Sequence, residues 1–212
     1  MSRAAGIQPE SRVPAGEQGV EANARLTAST AVALFLLLAA EGVTVLRVRS
    51  LLTPHVFIGV LLIPPVLLKI GSTVYRFLRY YAGSPAYRRK GPPAWLLRIL
   101  GPGVVILTLV VLGTGLALLY VGAGWHQSLL TAHKASFVLW FLVMTVHVLG
   151  HLPETARLGL TDWMGRARRW GPGTNLRRAA VLASVGVGVA AGALVVGQVS
   201  AYLASTGFSF GG

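Results

Sequence analysis

The stretch TAHKASFVLWFLVMTVHVLGH, residues 131–151, decides what kind of molecule this is. Its only formal charge is Lys134, close to one end. A helix of roughly 20 apolar residues crosses the hydrocarbon layer of a bilayer, where irregular backbone finds no water to bond. The segment therefore reads as a membrane-crossing helix. Outward from it the same composition recurs, in blocks from Leu26 to Leu46, from Thr53-Pro54 to about Tyr80, from about Trp95 to Val121, from about Leu130 to Leu152, and from about Arg177 to Ala204. Over the whole chain 54% of residues are hydrophobic and 12% charged, where a soluble domain carries about a quarter charged. The expected fold class is all-α integral membrane, an up-down bundle of four helices plus a fifth transmembrane helix.

The segments between the blocks set the organisation. Residues 1–25 are polar, with Arg3, Arg12 and Arg25 balanced by Glu10, Glu17 and Glu21, and read as a disordered cytoplasmic tail. The four-helix unit covers 26–152, a basic cytoplasmic loop 153–176, and the fifth helix with a short outer tail 177–212. The first block reads as a retained helix rather than a cleaved signal, because a long tail precedes it and no small-x-small site follows. Pro54 suits a first helical turn, whereas Pro64-Pro65 falls in mid-span and should kink the second helix. Gly188 and Gly192 form a G-x-x-x-G pair that permits close helix contact, within the chain or with a copy. Small residues are common throughout this sequence, so the pair is equally well a product of composition.

Charge gives orientation. With five spans, the tail and the second–third and fourth–fifth loops share a side, which holds fifteen Lys and Arg residues, among them Arg88, Arg89, Lys90, Arg166, Arg168 and Arg169. The opposite side holds three, Arg47, Arg49 and Lys134. The positive-inside rule puts the basic side in the cytoplasm, the amino terminus in and the carboxyl terminus out. The same placement disposes of the net charge of +13 as a nucleic-acid signal, since the charges lie between apolar blocks and not along one face. No cysteine is present, which excludes disulfides, thiolate metal sites and covalently attached haem. No nucleophile–base pair, paired carboxylates or phosphate loop is visible.

Chemistry resides in the five histidines, His55, His126, His133, His147 and His151. An ionisable residue in a span is a functional candidate by default. Helices two and four both enter from the outer side, with His55 and His133 in their first turns, so the two imidazoles share a depth. Two neutral imidazoles facing each other from different helices are what a six-coordinate haem requires. Gly59, Gly113 and Gly115 lie where a flat macrocycle could approach backbone. Lys134, Arg47 and Arg49 could meet propionates. His147 follows His133 by 14 residues, roughly 21 Å along the axis and about 40° off in azimuth, a separation suited to two metals stacked across a bilayer. His151 falls on the same stripe. His126 reads as a surface residue beside Trp125, and Glu41 as a partner of Arg47 or Arg49. Tyr80, Tyr81, Trp95, Tyr120 and Trp125 fit interfacial belts.

The block at 131–151, with its two histidines 14 apart, and the histidine opening helix two together resemble the bacterial di-haem cytochrome b superfamily. That superfamily includes the membrane subunits of formate dehydrogenases and nickel–iron hydrogenases, and small relatives of cytochrome b561 type. The resemblance covers roughly residues 26–152. It implies a four-helix haem-binding bundle, an outer haem b ligated by His55 and His133, and an inner one using His147. The family's remaining inner ligand comes from the first helix, and Leu26 to Leu46 contains no histidine. One haem is therefore expected, with a second only if another ligand serves. Lys69 matches His147 in depth, but reads as an ammonium reaching for the inner interface.

The expected function is a b-type cytochrome subunit passing electrons between the quinone pool and a redox partner on either side of the membrane, with any catalysis on that partner. The competing expectation is a cofactor-free anchor or small transporter subunit, in which the histidines pack or relay protons.

Overall fold

The computed structural model describes residues 15–91, 95–164 and 173–206. They form α1 (Ala15–Leu46), α2 (Leu52–Tyr81), α3 (Pro85–Lys90), α4 (Trp95–Leu118), α5 (Ala123–Met164) and α6 (Thr174–Thr206). Within all of these except α3 lies a segment long and apolar enough to cross a membrane: Gly16–Leu46, Leu52–Tyr81, Arg98–Leu118, Gly124–Leu160 and Thr174–Val199. Large apolar side chains such as Leu142, Leu182 and Leu194 are turned outward. That surface suits acyl chains and would be untenable in water. The protein is a multi-pass membrane protein.

Besides the start of α5, which lies at Ala123 and not near Leu130 and so places His133 ten residues into the helix, two expected boundaries move. The polar segment before Leu26 is helical from Ala15 onward, not disordered. Ala, Glu and Gln there favour helix, and Arg25 pairs with Glu21 one turn back at 2.7 Å. The extension is also docked: Glu17 meets Arg89 of α3 at 3.0 Å, and Gly16 faces Ala86. At the other boundary, α5 runs through Pro153 to Met164, where a loop from 153 was expected. A proline removes one hydrogen bond without forbidding the helix beyond it. The continuation is held against α1, where a Cβ on Gly159 would stand 2.8 Å from the Ala28 carbonyl oxygen. Residues 1–14, Arg166, Arg168 and Arg169 of the basic loop, and the outer tail beyond Thr206 lie outside the described residues.

Contacts along the helices show how they run. Glu41 of α1 meets His55 of α2, and Thr27 of α1 meets Lys69, so α1 and α2 are antiparallel. Thr114 and Thr108 of α4 meet His133 and Trp140 of α5, making that pair antiparallel as well. α1 also packs along α5, whereas α2 and α4 touch lightly. Between α1 and α2 lies a small core of Leu34, Leu62 and Val66, with Leu112 of α4 against it. A polar clasp closes their far end. Lys69 Nζ donates to the Thr27 carbonyl at 2.9 Å, Thr27 Oγ1 donates to Ser72 Oγ at 2.9 Å, and Asn23 Nδ2 donates to the Ser72 carbonyl at 3.1 Å. Each bond satisfies a polar group that lipid could not. After α2 the chain turns at Gly83, whose φ of 84° suits glycine, into α3.

The most extensive packing joins α2 and α6, and there two sequence oddities explain each other. Pro64 and Pro65 lie inside α2, and the missing N–H of Pro65 leaves the Leu61 carbonyl without its helical donor. That carbonyl faces Gly188 of α6 so closely that a Cβ there would stand 2.3 Å from its oxygen. One helical turn on, a Cβ on Gly192 would lie 2.9 Å from the Phe57 ring. The G-x-x-x-G pair is therefore used within the chain, as the seat of a backbone whose prolines expose a carbonyl.

Candidate functional site

The structure brings His55 and His133 together. Their ring centroids are 6.4 Å apart, with an angle of 74° between the planes. They come from α2 and α5, which face each other across the space between α1 and α4 and scarcely touch backbone to backbone. Both side chains are partly buried.

Each ring is held from behind. His55 Nδ1 lies 2.8 Å from Glu41 Oε1 and 3.2 Å from Thr44 Oγ1. A carboxylate only accepts, so the hydrogen of this pair sits on Nδ1 and Nε2 is the nitrogen left for another partner. Thr44 is itself committed: its hydroxyl lies 2.7 Å from the Glu41 carbonyl and 3.1 Å from Glu41 Oε2. His133 Nδ1 lies 3.0 Å from Thr114 Oγ1. The Thr114 hydroxyl donates to the Val110 carbonyl at 2.7 Å, which leaves its oxygen to accept from the imidazole. Both rings thus take the tautomer in which Nδ1–H is spent on the protein and Nε2 is a donor of electrons. This is the outer-shell arrangement that orients metal-ligating histidines.

The spacing tests what could lie between them. Two metal–imidazole bonds of about 2.0–2.1 Å, each continued about 1.1 Å to the ring centre, would set the centroids about 6.3 Å apart. The observed 6.4 Å agrees with an axial pair on one iron. Among the described residues no group of three or more His, Asp or Glu could hold a bare metal ion. A metal on these two nitrogens would take its remaining ligands from a prosthetic group, as in haem.

The other expected participants divide. Gly115 lies against His133, where a Cβ would stand 3.0 Å from its Cε1, so this glycine makes room for the imidazole. Gly59 leaves room for Glu41, whose Oε1 would be 3.8 Å from a Cβ there. Gly113 has nothing within 4 Å of its Cβ direction. Lys134, Arg47 and Arg49 are exposed at the His55 end. Glu41, expected to pair with Arg47 or Arg49, turns instead to His55. The inward geometry of α1 overrides proximity in sequence, since the two arginines sit in an exposed turn beyond its end.

No comparable facing pair of imidazoles from separate helices is found at His147 among the described residues. Its ring centroid is 4.7 Å from that of His151, on the same helix and too close to bracket an iron. Lys69 is engaged by the Thr27 carbonyl. His147 Nδ1 is buried with no hydrogen-bond partner among the described residues. The donors there do not fit a six-coordinate haem.

Sequence reasoning missed Glu41's role and did not single out Thr44 or Thr114. The one available signal for Glu41 was its isolation: between Glu21 and Glu154 it is the only acidic residue. No family model, curated protein or solved structure matches the chain.

Proposed function

We propose that this protein is a b-type cytochrome subunit of the inner (plasma) membrane, holding one haem b between His55 and His133 and passing electrons between membrane quinone and a redox partner. The observation that carries the reading is the facing pair of imidazoles, 6.4 Å apart, each with Nδ1 engaged by the protein. When bound, haem supplies a one-electron couple. The chain's own residues do the rest. His55 and His133 would hold the group through their Nε2 atoms. Glu41, Thr44 and Thr114 fix both tautomers, and the apolar helices keep water from the pair.

Antiparallel α1–α2 and α4–α5 pairs, joined through α1 and α5, support an up-down four-helix arrangement with α6 as an added helix on α2. The positive-inside count supports an amino terminus in the cytoplasm and the His55–His133 site near the outer surface. Redox partners would dock at either face, and catalysis would be theirs.

The test is a reduced-minus-oxidised absorption spectrum of protein purified from haem-replete cells. A b-type band that disappears in His133→Ala supports the proposal. A colourless wild-type protein supports the alternative, a membrane anchor or transporter subunit without cofactor.

A further inference from the structure

Glu41 is a carboxyl side chain inside a candidate membrane span, where an acidic group is costly unless it is partnered. Its side chain is 14% exposed, and the groups that offset this cost are His55 Nδ1 at 2.8 Å and the Thr44 hydroxyl at 3.1 Å. The opposite imidazole has no such companion. Behind His133 stands Thr114, a neutral hydroxyl whose proton is given to the Val110 carbonyl. The site is therefore asymmetric: an anion stands behind one ring and a dipole behind the other.

Resting on the haem reading above, we infer that Glu41 is a positioning residue that fixes His55 by charge and lowers the reduction potential of the bound group. Three local facts support this. The carboxylate sets the His55 tautomer, because it can only accept. Thr44 Oγ1, 3.1 Å from the carboxylate and 3.2 Å from the imidazole nitrogen, packs beside both groups and limits the space in which they can rotate. Negative charge behind Nδ1 raises the basicity of Nε2, and a more basic axial donor favours the more highly charged oxidised metal. Thr114 orients His133 without adding charge, so the tuning belongs to the α1–α2 side alone.

The experiment is a spectroelectrochemical titration of full-length protein at a single pH, comparing wild type with Glu41→Gln, Glu41→Asp and Thr114→Val. Removing such an outer-shell partner changes metal affinity by about 10–100-fold. A tenfold loss of preference for the oxidised form is about 59 mV for one electron. Glu41→Gln should raise the midpoint by about that amount or more, with Glu41→Asp remaining closer to wild type and Thr114→Val shifting it less than Glu41→Gln. Should Glu41→Gln lose its haem while Glu41→Asp retains it, charge is again the deciding property. An unchanged midpoint in Glu41→Gln, or equal loss of haem from both variants, overturns the inference while leaving the cytochrome reading intact. A wild-type protein without haem defeats that reading itself, and this inference with it.

Discussion

Replacing Gly188 by alanine tests the packing of α6 on α2 at its tightest point. The added methyl carbon would stand 2.3 Å from the Leu61 carbonyl oxygen, where ordinary contact begins at 3.4 Å. Reaching that contact needs a retreat of about 1.1 Å, and the obstacle is backbone rather than a side chain that can swing aside. Overpacking of this kind costs about 1–3 kcal/mol. Alanine also gains about 1 kcal/mol over glycine in helix propensity, which blurs a comparison with wild type alone. Gly186, on the same helix, has nothing within 4 Å, so Gly186→Ala carries the propensity gain without the clash. Unfolding in mixed micelles, followed by far-ultraviolet circular dichroism, should place Gly188→Ala about 1–3 kcal/mol below Gly186→Ala. Coincident transitions would refute the close α2–α6 contact and return the glycine pair to mere composition.

Other expectations concern the site and its surroundings. Thr114→Val removes the acceptor behind His133 Nδ1 and should weaken haem retention by about 10–100-fold, read by competition with an apo-globin. Trp140→Phe removes the 2.8 Å bond to Thr108, whose hydroxyl still donates to the Val104 carbonyl, and should cost about 0.5–1.5 kcal/mol of stability in the same micelle assay. Arg89→Ala removes an exposed pair with Glu17 and should change stability by no more than about 1 kcal/mol; a larger loss would mean that the α1 extension is more firmly docked than this pair implies. His147→Ala should leave the haem content of the purified protein unaltered, since its ring has no axial counterpart.

What the sequence could tell and what it could not divides along a physical line. Spans were legible because twenty apolar residues in a row have few other uses, and the observed helices enclose four of the five apolar blocks, the third stopping at Leu118 rather than Val121. The meeting of His55 and His133 was anticipated from shared depth, although only His55 lies in the first turn of its helix, His133 falling ten residues into α5. Partners across helices were not. Glu41 lies six residues before Arg47 and fourteen before His55, and only the azimuth of α1 against α2 decides which one it reaches. The fourth span was expected to end about Leu152, yet α5 continues through Pro153, and contact of Gly159 with α1 holds the continuation in place. The tail before Leu26 looked disordered because its docking contact, Glu17 with Arg89, joins residues 72 apart in sequence.

The central claim is that one iron is bracketed by two imidazoles from separate helices. Haem per polypeptide, by pyridine haemochrome assay on protein from haem-replete cells, tests it most directly. The account predicts one per chain in wild type and none in either His55→Ala or His133→Ala. Absence of haem from wild type, or full retention in both variants, would contradict it.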